Sequence, residues 1–152
     1  KNIKKTENFI KFINLENKLH GNSPLSIYEK FNKDCLRSKQ SLSIFLDKYS
    51  NKTIASYGAT SKSTTIFNFC NIGPNEISFI TDTTPTKINK LSPGKHIPIY
   101  DHNYFQSNMP EICFLGAWNH KKEILKKEKN QYSKFGKWFS HLPTTDFIND
   151  IY

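Results

Sequence analysis

The chain has 152 residues, enough for one ordinary hydrophobic core and cramped for two. With a formal charge of +9 and a mean hydropathy of −0.62, it nowhere approaches the roughly 18 consecutive apolar residues of a membrane span, which excludes a helical membrane protein. The basic excess sits at residues 1–50 (10 basic, 5 acidic) and 119–137 (7 and 2) without zinc-finger spacing or an RNP-like motif, so it reads as solvated helix faces and no nucleic-acid partner is expected.

Phe9, Ile10, Phe12, Ile13 and Leu19 recur at helical spacing and predict a first helix, with Gly21 as its stop. Ser23 and Pro24 then serve as N-cap and first-turn residue of a long second helix, whose rhythm runs through Tyr28, Phe31, Cys35, Leu42, Phe45 and Tyr49 to near Ser50. The pattern changes at residues 53–57, a short β-prone run ending at Gly58. Residues 62–72 read as a helix stopped by Gly73-Pro74, and residues 76–81 as a second strand ending at Asp82. Strand, glycine turn, helix and strand make a βαβ unit. Residues 97–100 and the strongly apolar 112–117 follow as strands, 121–133 as a charged amphipathic helix, and 137–141 as a last strand. The prediction is an α/β fold: a small Rossmann-like, mostly parallel sheet with flanking helices at residues 51–145. It is preceded by a helical pair at 1–50 packing on the core and followed by a tail at 146–152. Residues 83–95, with Pro85, Pro93 and Gly94, form a loop at the carboxyl end of the second strand, the side on which such sheets bind ligands.

Cys35, Cys70 and Cys113 stand singly in apolar patterns with no CxxC spacing, which suits buried thiols in a reducing, cytoplasmic setting. The five histidines share no ligand spacing, so no metal is expected. The chain starts at Lys1 without a signal-like segment, and the expectation is a piece of a longer protein.

The chemistry concentrates in Tyr57-Gly58-Ala59-Thr60-Ser61-Lys62-Ser63-Thr64-Thr65, at the first strand-to-helix turn. Backbone amides and the helix dipole favour an anion there, Lys62 adds a charge, and Ser61, Ser63 and Thr64 add donors, so a phosphate or pyrophosphate is the natural guest. GxGxxG is not met, since only Gly58 is present, and Walker A is not met either. Capping by Ser and Thr explains the same residues without a ligand, and both readings stay open. Asp82, about 24 positions after Gly58, stands where a dinucleotide fold places a ribose-binding carboxylate, and is equally an ordinary turn former before Thr-Thr-Pro. His96 is a site residue or a loop-orienting one. Trp118 and Asn119, at the carboxyl end of the 112–117 strand, either meet a base or sugar or cap the next helix. No serine, cysteine or carboxylate has a sequence-local partner that makes a nucleophile or acid-base pair. A dinucleotide-dependent oxidoreductase is disfavoured by the missing second and third glycines.

Four segments together resemble one family. Residues 57–70 are similar to its GYGAxxKGNTLLNYC pattern, Asp82 with Pro85 and Lys87 to its DxxPxK, residues 92–99 to its TPGTHIPI, and Ala117-Trp118-Asn119 with Glu123-Ile124 to its AWNxxxEI. These mark the C-terminal domain of S-adenosylmethionine-dependent sugar C-methyltransferases, which methylate a nucleotide-linked keto-deoxysugar, as in polysaccharide or deoxysugar synthesis. The resemblance implies a zinc-binding segment and a methyltransferase domain upstream, holding S-adenosylmethionine and the acid-base residues. There a base removes a proton next to the sugar ketone and the enolate carbon attacks the methyl sulfonium. The present chain would hold no cofactor and no catalytic residue of its own, and would grip the nucleotide diphosphate sugar. Tyr57, Gly58, Ala59, Ser61, Lys62 and Ser63 are the residues expected around the phosphate, Asp82 and Lys87 in the cleft wall, and His96, Trp118 and Asn119 at the sugar or base end. Ser63 and Thr64 stand where the family has Gly and Asn, so Ser63 either donates to a phosphate or narrows its approach. The alternative is a non-catalytic Rossmann-like interaction or dimerisation module.

Overall fold

A computed structural model describes residues 5–20, 24–130, 132, 136–142 and 144–148. The expected helix stop at Gly21 and N-cap at Ser23 lie outside the described residues. The chain divides into two units, residues 1–37 and 38–152. The first holds helix α1 (Glu7–His20) and the opening turns of helix α2 (Pro24–Lys48). Within it, Lys30 and Arg37 both pair with Asp34 one turn away, at 3.0 and 3.1 Å. Such exposed helix pairs contribute only a few tenths of a kcal/mol.

The second unit is built on a seven-stranded sheet in the order β3-β4-β2-β1-β5-β6-β7. Its centre is parallel: β1 (Ile54–Tyr57) lies between β2 (Ile80–Thr81) and β5 (Ile112–Leu115), with β4 (Pro98–Tyr100) beyond β2 and β6 (Lys137–Ser140) beyond β5. Short antiparallel strands close both edges, β3 (Lys90–Leu91) on β4 and β7 (Asp146–Phe147) on β6. The chain steps from β1 to β2 and β4 on one side, then returns to the other side of β1 with β5. The strand order therefore reverses at β1, and the crevice beside such a reversal is the usual ligand seat of an open α/β sheet.

All four residues of β1 and of β5 are buried, as two-sided burial demands. Alternation then sorts them into two layers. Ile54, Ile112, Phe114 and Phe139 join Leu42, Phe45 and Leu46 of α2 and Phe67 of α3 (Ser61–Cys70) on one face. Ala55, Tyr57, Cys113, Leu115 and Trp138 join Phe105 of α4 (His102–Ser107) and Ile124 and Leu125 of α5 (Lys121–Glu128) on the other. Phe45 stacks on Phe139 with ring centroids 4.5 Å apart.

Several elements depart from the sequence reading. α3 ends at Asn71, which takes the left-handed conformation (φ 61°), before Gly73-Pro74 is reached. The loop 83–95 contains β3, residues 102–107 form α4, Trp118–His120 is a 3-10 helix, and Asp146–Phe147 pairs with β6 instead of trailing as a tail. α5 is shorter than expected, ending at Glu128. Cys35 and Cys70 are half-buried free thiols, and Cys113 is fully buried, which pushes its thiol well up from the ordinary value. Among the described residues no helix is long and apolar enough to cross a membrane.

Candidate functional site

β1 delivers Tyr57 and Gly58 to the carboxyl edge of the sheet. Gly58 adopts φ +97°, and a Cβ built on it would lie 2.7 Å from Ala117 Cβ. Glycine is therefore required twice over, by backbone conformation and by close approach. The Gly58 amide donates to Thr81 O at 2.8 Å and the Ala117 amide to Tyr57 O at 3.1 Å, so the ends of β1, β2 and β5 are tied at this point. Gly116 is constrained by close approach alone, since a Cβ there would meet Gly58 O at 2.8 Å and Ser56 Oγ at 2.9 Å.

The hydroxyl-rich turn closes on itself. Thr60 caps α3: its Oγ1 accepts from the Ser63 amide at 3.1 Å, while Ser63 Oγ accepts from the Thr60 amide at 3.0 Å, a reciprocal capping box. Thr60 Oγ1 donates onward to Gly116 O at 3.1 Å, and Ser63 Oγ, 1% exposed, has Gly58 O at 3.0 Å and Thr60 O at 2.9 Å as acceptors for its single proton. Asp82 completes the turn, with Oδ2 accepting from the Ala59 amide at 2.7 Å and Oδ1 from the Thr84 amide at 2.8 Å. Burial alone would raise the Asp82 carboxyl, but hydrogen bonds from Thr84 and Ala59 and the Lys87 ammonium outweigh it and hold it below the usual carboxylate value. Lys87 Nζ donates to Ala59 O at 2.8 Å and lies 3.4 Å from Asp82 Oδ2. The amides of Ala59, Thr60 and Ser63 are thus committed within the turn. Those of Ser61 and Lys62, first in the helix, have no partner among the described residues.

Two depressions flank this turn. The first, a crevice of about 390 Å³, is lined by Tyr57, Gly58, Thr60, Asp82, Thr84, Lys87, Ala117, His120, Glu123 and Lys127, among others. The second, a groove of about 520 Å³, runs past Ala59, Ser61, Thr64, Thr65, Lys87, Lys90, Leu91 and Pro93. Of the residues singled out from the sequence, Tyr57, Gly58, Asp82 and Lys87 meet in the crevice, and Ala59, Ser61 and Lys87 in the groove. Lys62, Ser63, His96, Trp118 and Asn119 line neither. Ser63 is buried in the cap; Lys62 Nζ lies over the Trp118 ring, 4.9 Å from its centroid, a cation–π pair. Asn119 is exposed in the 3-10 helix. His96 is exposed at φ 56°, its amide donating to Ser92 O at 3.0 Å, which makes it part of the turn that folds residues 92–97.

Sequence reasoning missed the polar group beneath the crevice. Glu128 is 1% exposed and its Oε1 accepts from Tyr57 Oη at 2.9 Å, with His102 Nε2 at 2.7 Å from the same oxygen. Lys127 Nζ is 3.4 Å from Tyr57 Oη. Burial, and then the Glu128 carboxylate, push the Tyr57 phenol far above its ordinary value, so it stays protonated. A signal was present: Glu128 follows Ile124 by four and Leu125 by three, which puts a carboxylate on the apolar stripe of α5. Among the described residues no three His, Cys, Asp or Glu side chains come together as a metal site.

With this geometry in view, residues 1–143 match the family described as the C-methyltransferase C-terminal domain. This chain belongs to that family. As a C-methyltransferase C-terminal domain it is also similar to the C-methyltransferase NovU of Streptomyces niveus, with 36% identity over 98 residues. That match covers 64% of this chain and 23% of NovU, so the chain spans under a quarter of the curated relative.

Proposed function

We propose that this chain is the part of a C-methyltransferase that grips a nucleotide diphosphate sugar, seated in the crevice at the carboxyl ends of β1 and β2. One observation carries the reading: beside the reversal of strand order, two lysine side chains from different elements, Lys87 and Lys127, line one polar crevice. Phosphate suits two ammonium groups, which here share the crevice with the Asp82 and Glu123 carboxylates. The methyltransferase domain upstream in a longer chain is the partner in this reading. It holds S-adenosylmethionine, which when bound supplies the methyl group, and any zinc. The present chain contributes orientation, which accounts for several kcal/mol of barrier lowering when it fixes a reactive geometry. A cytoplasmic setting suits its three free cysteines.

Steady-state kinetics of the full enzyme test this. Lys87→Met is expected to raise KM for the nucleotide sugar about tenfold, the loss of one charge-assisted contact, and to leave kcat within about twofold. An unchanged KM, together with no calorimetric binding of nucleotide sugars to the chain, would sink the reading. A docking module is the second reading, favoured by the self-satisfied Thr60–Ser63 turn. Lys62→Ala and Lys87→Met together separate the two: docking predicts a changed oligomeric state in gel filtration on Lys62→Ala with affinity constant in both variants, whereas a phosphate held in the crevice predicts weaker binding on Lys87→Met.

A further inference from the structure

Helix α5 carries a carboxylate where its buried stripe calls for an aliphatic residue. Glu128 is 1% exposed, and its Oε2 has no hydrogen-bond partner among the described residues. A buried carboxyl group so incompletely partnered costs free energy, and an aliphatic side chain of similar volume would fill the space at no such cost. What Glu128 does instead is set the polarity of the group above it. Tyr57 Oη gives its one proton to Glu128 Oε1, so toward any other neighbour it acts as an acceptor. Donation to a carboxylate polarises the phenol and strengthens it in that role. The neighbour it meets is the Lys127 ammonium, 3.4 Å away. His102 Nε2, 2.7 Å from the same Glu128 oxygen, fixes the carboxylate from the α4 side.

Lysine is a flexible point charge, and immobilising it on a ligand loses side-chain entropy unless it is held beforehand. Lys87 is already held, by Ala59 O at 2.8 Å and Asp82. Lys127 has a single longer contact, to Tyr57 Oη at 3.4 Å, at the end of the Tyr57–Glu128–His102 chain. The amides of Ala59, Thr60 and Ser63 are spent within the turn, and Ser61 and Lys62, whose amides are free among the described residues, do not line the crevice, which leaves Lys87 and Lys127 as its ammonium groups.

We propose that Tyr57, Glu128 and His102 are positioning residues that hold Lys127 in the crevice, where it and Lys87 together bind the diphosphate of the nucleotide-linked ligand. This rests on the reading of the crevice as the nucleotide seat.

Calorimetry on the full chain tests it, with inorganic pyrophosphate and the uridine, thymidine, guanosine and cytidine diphosphates as probes, and melting temperatures recorded alongside. Lys127→Met weakens binding about tenfold, and Lys127→Arg restores part of it. Tyr57→Phe, which removes one oxygen and keeps the ring packing, weakens binding about threefold or more, as does Glu128→Gln. In the Lys127→Met background neither has a further effect, the non-additivity expected of residues acting through one cation. Tyr57→Phe alone decides the matter should Glu128→Gln fail to fold. The proposal falls if these two substitutions lower the melting temperature and leave affinity unchanged, or if their losses add fully to that of Lys127→Met. Loss on Lys87→Met with none on Lys127→Met overturns the proposal and spares the reading of the crevice. Binding of none of the probes overturns both.

Discussion

Gly58 leaves no room for a side chain beside Ala117. At φ +97° a side chain costs roughly 1–2 kcal/mol before any collision, and the 2.7 Å approach to Ala117 Cβ adds to it. Gly58→Ala should therefore lower stability by about 2–4 kcal/mol, seen as an earlier urea midpoint. Adding Ala117→Gly relieves the collision and leaves the backbone strain, so partial recovery is expected; none at all would place the cost elsewhere. His141 acts through pH. It is 6% exposed, its Nδ1 has no partner among the described residues, and burial lowers its pKa from 6.5 to about 4. Between those values the unfolded imidazole binds a proton that the folded one refuses. Stability is thus complete above about pH 6.5 and falls as pH drops to about 4, by about 3 kcal/mol. Asp82, held low, adds its own loss only below the ordinary carboxylate range near 3.8. Denaturation midpoints at several pH values should show a shallower acid limb for His141→Phe than for the parent; parallel limbs would refute the assignment.

At the scale of elements, the capping box decides where α3 begins. Ser63→Ala removes the acceptor of the Thr60 amide and a donor to Gly58 O, and should cost about 1–2 kcal/mol, with Ser63→Thr recovering part of it. The melting temperature reports this, and an unperturbed value would mean that the box is replaceable by water. That turn also shows what the sequence could and could not convey. Its hydroxyls announced a helix start, yet only geometry shows them spent on one another. The central strands were legible because two-sided burial makes them continuous apolar runs. The edge strands β3 and β7, two residues each, have no period of their own and exist only through pairing, Lys90 with Ile99 and Asp146 with Ser140. α4 was hidden by weak helix formers, although Asp101 caps it by accepting from the Tyr104 amide at 2.8 Å. Lys87 emerged through its motif, whereas Lys127 was masked by the other lysines of α5, where charge carries no positional information.

For the whole molecule, the decisive boundary is where the core begins. Among the described residues its buried apolar side chains start at Leu42, inside α2, and with Phe45 and Leu46 they cover one face of the sheet. The second compact unit begins at Ser38, just upstream of them. A chain cut to residues 38–152 keeps all three and should melt cooperatively within a few degrees of the parent, about the shift that 1 kcal/mol produces in a domain of this size. A chain cut to residues 53–152 loses them. At about 1.5–3 kcal/mol for each fully buried Leu or Phe, the loss is about 5–9 kcal/mol, comparable to the entire stability of an ordinary domain. That shorter piece should be largely unfolded at room temperature by circular dichroism. A cooperative melt from it would show that the α2 layer is dispensable, and an unfolded 38–152 chain would show that residues 1–37 are needed to hold that layer in place.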